Sequence, residues 1–168
     1  MSPIPIYQDA VSLITQVDAE IQIWMADATS LQRECEMRLQ HFRRGLPASR
    51  SELPDLLASI APLFDATSQL YHTSRDRART ARAALSSVSE YLLSPAVTGF
   101  DANFIAQDCA KTIRVLIEFE DAMTTMDTWL TDNLATLRAE VQRSAPQSGH
   151  DTFAALMARL LSRRQSGA

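Results

Sequence analysis

Apolar residues recur along this chain at alternating spacings of three and four, the pattern of long amphipathic helices that pack along their whole length. From about residue 7 to about 44 the series is Ile14, Val17, Ile21, Trp24, Ala28, Leu31, Cys35 and Phe42. Arg38 stands at the seam position that breaks it, with Leu39 beside it to turn inward. Gly45 and Pro47 stop the run: glycine accepts the left-handed conformation that follows a helix, and proline has no amide to extend it. A second series, from about 51 to 94, runs Leu53, Leu57, Ile60, Phe64, Thr67, Tyr71, Ser74, Ala78, Ala81, Leu85, Val88 and Leu92. Ser51 is its expected N-cap, with Glu52 and Asp55 favourably placed in the first turn. Pro62 lies inside this helix, and because it removes one amide and crowds the carbonyl four residues back, a kink is expected near Ile60.

The third series, from about 101 to 143, has Asp101 as its expected cap and Phe100 with Ile105 as a hydrophobic staple. It continues through Cys109, Ile113, Leu116, Phe119, Met123, Met126, Leu130, Leu134, Leu137 and Val141, with Ile117 and Trp129 widening the stripe. Residues 144–150 have linker composition. Asp151 can then cap a short amphipathic helix over 151–164 whose Phe153, Leu156, Met157, Leu160 and Leu161 share one face. The fold expected is all-α: an elongated up-down-up bundle of three long helices within residues 1–143, joined by short connections, plus a short C-terminal amphipathic fourth helix. Counting along the rods places Trp24 near Tyr71, Ser74 and Phe119 to Met123, where small neighbours leave room for large rings. The same count sets Cys35 level with about residue 133 and far from Cys109. The two thiols are therefore expected to be separate, buried core groups.

Composition changes this picture little. With 168 residues, 46% hydrophobic and 21% charged, the chain suits one packed domain and excludes wholesale disorder. The net charge of −4 is spread through every helix, a poor electrostatic footprint for nucleic acid, so no nucleic-acid partner is expected. Lys111 is the lone lysine among 16 basic residues, a bias that suggests a GC-rich, bacterial coding sequence. The first residues, Met1-Ser2-Pro3-Ile4-Pro5-Ile6, do not resemble a secretory signal, and no stretch has the apolar length of a membrane span. The cytoplasm is the expected compartment, although secretion by a signal-less route leaves no trace in a sequence.

Candidate chemistry is sparse. A di-iron bundle needs Glu-x-x-His pairs, and His41, His72 and His150 offer none. The four glycines build no phosphate-binding loop, so no catalytic residue, metal or cofactor is expected. Glu118, Glu120 and Asp121 form the densest carboxylate cluster and read as a solvated acidic face. His72 and Asp76 are spaced as a solvated pair on one helix face. Arg75, Arg79 and Arg82 make the most basic patch, a candidate site for an anion or an acidic partner, unless they pair with the acidic third helix at the same height. The face formed by Phe153, Leu156, Met157, Leu160 and Leu161 is a candidate docking element, for its own bundle, a second copy or a partner groove. These features point to a non-enzymatic helical interaction module, such as an adaptor, chaperone-like factor, effector or assembly component, that self-associates, binds a protein partner, or does both. The alternative is a peripheral protein coating a lipid or polymer surface with its amphipathic helices.

Overall fold

A computed structural model of the protein describes residues 4–45, 52–97 and 100–144. It is all-helical: α1 (Ile4–Gly45), α2 (Leu53–Leu92) and α3 (Phe100–Ser144) pack against one another. The expected short helix over 151–164 and its linker from 145 lie outside the described residues. Among the described residues no helix is long and apolar enough to cross a membrane.

The heptad seams become the core. Val17, Ile21, Trp24, Ala28, Cys35, Leu39 and Phe42 of α1 are buried, and Arg38 points outward as its seam-breaking position requires. Along α2 the buried set includes Leu53, Ile60, Phe64, Thr67, Tyr71, Ser74, Ala78, Leu85 and Leu92. On α3 it includes Ile105, Cys109, Leu116, Phe119, Met123, Leu130, Leu134 and Leu137. Ala102, about a turn ahead of Ile105, and Ala106 are buried with them. Direction follows from the cross-contacts. Ala28 meets Tyr71 and Cys35 meets Thr67, so numbers rising on α1 meet numbers falling on α2. Phe64 stacks near Trp129 while Arg82 reaches Glu120, so α2 and α3 are antiparallel too. Trp24 then faces Phe119 with ring centroids 5.8 Å apart and planes tilted by 42°, in the layer expected from counting.

Several local expectations are corrected. Helix α1 begins at Ile4, ahead of residue 7. Helix α2 begins at Leu53 with Glu52 in the cap position, one residue beyond the expected Ser51, which lies outside the described residues; Glu52 is itself helical in φ and ψ and makes no side-chain cap bond, and Pro54 in the first turn supplies a helical φ. Asp101 lies inside the first turn of α3, which starts at Phe100, so its carboxylate acts on the helix dipole as a first-turn acid and not as a cap. Ile117 does not widen the buried stripe; at 42% exposure it faces solvent, while Trp129 does turn inward toward Phe64. Cys35 lies against Thr67, whose neighbour Ser68 bonds Asp127, about one to two turns below the expected level of residue 133. Pro62 lies inside α2, as its place in the second series required.

Among the described residues the buried polar side chains are Thr67, Ser74, Thr112 and Glu120. Thr67 donates to the Leu63 carbonyl at 2.7 Å and touches Cys35 Sγ at 3.5 Å. The Tyr71 hydroxyl reaches the Ala28 carbonyl at 3.4 Å, and burial pushes its pKa up to about 12. Burial also raises both cysteine thiols, so little thiolate exists at neutral pH. Cys35 and Cys109 are free, and each is fully covered. Alkylation of the native protein by iodoacetamide is therefore expected to run at least about a hundredfold slower than in urea, since the thiols react only through opening. Intact-mass measurement over time checks this, and rapid native labelling of either thiol would contradict its placement.

The packing is uneven. Helices α2 and α3 make the closest partnership, and α1 rests on them with fewer contacts. On α1 the large apolar side chains Val11, Ile23, Met25 and Met37 are exposed.

Candidate functional site

Two surfaces flank α2, and their chemistry is opposite. On the flank toward α3, side chains at the repeating spacing 68, 72, 75, 79, 82 meet Asp127, Thr124 and Glu120. Glu120 is the centre of this ladder: its side chain is only 11% exposed, and it accepts from Arg82 at 2.8 and 3.3 Å and from Arg79 at 3.3 Å. Arg75 donates to Thr124 Oγ1 at 3.3 Å and to His72 Nδ1 at 2.6 Å. With Nδ1 accepting, the imidazole carries its proton on Nε2, which lies 3.2 Å from Asp127 Oδ2. Ser68 donates to the other oxygen of Asp127.

The three arginines named from sequence are thus brought together, and Arg79 and Arg82 meet the acidic helix through one member of its cluster. Glu118 and Asp121 remain exposed on other faces of α3. The expected pairing of His72 with Asp76 is replaced: His72 turns across to Asp127, while Asp76 lies 3.5 Å from Arg79. A carboxylate on the neighbouring helix shares its charge with a serine and a histidine at once, which a solvated neighbour on the same helix does not offer. Sequence reading passed over Asp127 and Thr124 because each is unremarkable alone; the signal was their spacing from Glu120, which repeats three and four like the core. Serine, histidine and aspartate do meet here, but both Ser68 and His72 converge on Asp127, and the second imidazole nitrogen is taken by Arg75. Among the described residues no imidazole is positioned to take the Ser68 proton, and the connectivity is that of a structural clamp.

The clamp has a measurable weight. Arg79 and Arg82 are partly exposed, which discounts their pairing with Glu120, but the carboxylate itself is nearly covered. Glu120→Ala is expected to cost about 1–3 kcal/mol in urea unfolding. Arg82→Ala should remove most of the same energy, so that the double variant is little worse than Glu120→Ala. Strictly additive losses would show that the fork is not energetically coupled.

On the opposite flank α2 and α1 leave a groove. Its walls are Leu13, Val17, Ile23 and Trp24 from α1 with Thr73, Arg77, Ala81 and Ala84 from α2, and its volume is about 810 Å³. A second hollow adjoins it around Ile23 and Trp24, bounded by Asp27, Ala66, Leu70 and Ser74. The two share Ile23, Trp24, Thr73 and Arg77, so they form one trough along the helices. Small residues on the α2 side keep it shallow and allow close approach of another backbone. Ile23 is 60% exposed at its centre, and Glu20, Asp27 and Asp76 give its rim an acidic bias against Arg77 alone. A long apolar floor between charged rims receives the side of a rod better than a compact molecule.

The candidate docking residues Phe153, Leu156, Met157, Leu160 and Leu161 lie outside the described residues. Among the described residues no group of three or more histidine, cysteine, aspartate or glutamate side chains is placed to hold a metal ion. No protein-family model matches the chain, and comparisons with curated proteins and with solved structures find no match.

Proposed function

We propose that this protein is a non-enzymatic helical interaction module, an adaptor or assembly component of a bacterial cytoplasm, whose working surface is the trough between α1 and α2. The observation that carries the reading is Ile23, a large apolar side chain more than half exposed beside Trp24 in an elongated groove. Desolvating it against an aliphatic ridge would contribute about 1–2 kcal/mol at a single position. The groove's length lets several such positions add. Its partner is an amphipathic helix, supplied by another protein or by a second copy of this chain.

Mass from light scattering, taken on the purified protein and after incubation with native lysate, tests this. The expected result is an assembly heavier than the 18.6 kDa chain that Ile23→Arg returns to protomer mass. A strict monomer that acquires no partner, or an assembly indifferent to Ile23→Arg, overturns the reading.

A further inference from the structure

We infer that the α1–α2 trough is closed by the same trough of a second copy of this chain, the two related by a two-fold axis that runs parallel to the helices. This deepens the reading of the trough as a receptor for an amphipathic helix and rests on it. Relief, register and charge each select this occupant.

The two walls differ in relief. On the α1 side stand Leu13 and exposed Ile23, both large. The α2 side offers Thr73, Thr80, Ala81 and Ala84, all small. One face therefore carries a ridge and a channel side by side. A two-fold axis along the trough lays each copy's ridge over the other's channel, with α1 antiparallel to α2 of the second copy. An axis across the helices would instead set ridge on ridge and acidic rim on acidic rim.

Register follows because rotation about an axis parallel to the helices moves no residue up or down. Tyr71 meets Ala28 within the chain, so Ile23 is level with about residue 76 on α2 of either copy. Thr73, Asp76, Arg77 and Thr80 surround that level, stepping three, four and seven residues from the first, the outline of a hole between turns of a helix. Ile23 of each copy is the knob for that hole in the other, resting on threonine methyl groups and the aliphatic stem of the arginine.

Charge is divided in the same way. Glu20 and Asp27 border the α1 side and Arg77 the α2 side, and among the described residues none of the three forms an ion pair. By the same count Arg77 is level with about residue 22, within about half a turn of Glu20. The axis thus brings Arg77 of each copy against Glu20 of the other, two opposite-charge contacts in one interface. Gln69, whose amide can donate, borders the same hollow as Asp27. Asp76 is turned to Arg79, 3.5 Å away.

The test is sedimentation of the full chain over a concentration series, with Glu20→Arg and Arg77→Glu made separately; both positions reach the surface, so each variant keeps the core intact. The unaltered chain is expected to dimerise, and either variant alone, which sets like charges across the axis, should do so at least about tenfold more weakly. Mixed in equal amounts, the two variants restore both opposite-charge contacts, and a heterodimer of nearly the unaltered affinity is expected, weakening as salt is raised. A mixture that associates no better than either variant alone overturns the inference. So does a chain that stays monomeric throughout; if native lysate then adds mass that Ile23→Arg removes, the receptor reading stands without this occupant. A dimer indifferent to Ile23→Arg and to both charge variants overturns the inference and the receptor reading together.

Discussion

Trp24→Ala is expected to lower the stability of the bundle by about 3–5 kcal/mol, a large share of the ~5–15 kcal/mol available to a domain of this kind. The indole is 7% exposed and its ring lies 5.8 Å from Phe119. Its surroundings explain why the void would persist. Ala28, Ser74 and Ala78 are already small and buried, so none can swing into the space the indole leaves. Trp24→Phe should retain a large part of the stability because it keeps the aromatic contact with Phe119. Urea unfolding followed by helical circular dichroism measures both. A shift in midpoint worth less than about 1 kcal/mol for Trp24→Ala would mean that α1 is not seated on this layer.

Pro62→Ala is expected to act in the other direction, raising stability by about 1–3 kcal/mol. Proline inside a helix costs about 3 kcal/mol relative to alanine, since it lacks the amide that bonds the carbonyl four residues back and its ring crowds that carbonyl. Helix α2 continues through Pro62 all the same, held by buried Ile60 and Phe64 on either side. The pyrrolidine ring is exposed, so its removal opens no void. Part of the gain is lost because alanine loosens the unfolded chain, by about 0.4–1 kcal/mol. A higher midpoint with unchanged helicity is the outcome to look for. A lower one would show that the proline fits its site and that its removal disturbs the packing around Phe64.

Much of the fold was legible because a single period governs it. Every α2 seam residue named from spacing, from Leu53 to Leu92, is at least partly buried. The pattern failed where neighbours decide the outcome. Ile117 has the right chemistry for the stripe, yet it stands about 100° around the helix from buried Leu116 and faces solvent. The starts of α2 and α3 were misplaced by a residue or two because Ser51 and Asp101 are good cap residues, and a good cap residue does not oblige the chain to use it. The ladder was half visible: opposite charges at one height could be counted, but the choice of Glu120 over Glu118 or Asp121 depends on which carboxylate the α2–α3 crossing turns inward. The trough was not visible at all. It arises from the unequal closeness of three contacts, and periodicity says only that a face is apolar, not how tightly it is covered.

That inequality gives the molecule an order in which it can come apart. Glu120 and Asp127 pin α2 to α3 by bonds that a sliding of either helix by one turn would break, so this hairpin has one register and strong reason to keep it. Helix α1 has few such pins; Arg43 to Asn133, at 3.3 Å, is an exposed one. Tension or mild denaturant would therefore peel α1 away first and leave a two-helix remnant with its seam bare, a sticky intermediate whose exposure a bound ridge along the trough would suppress.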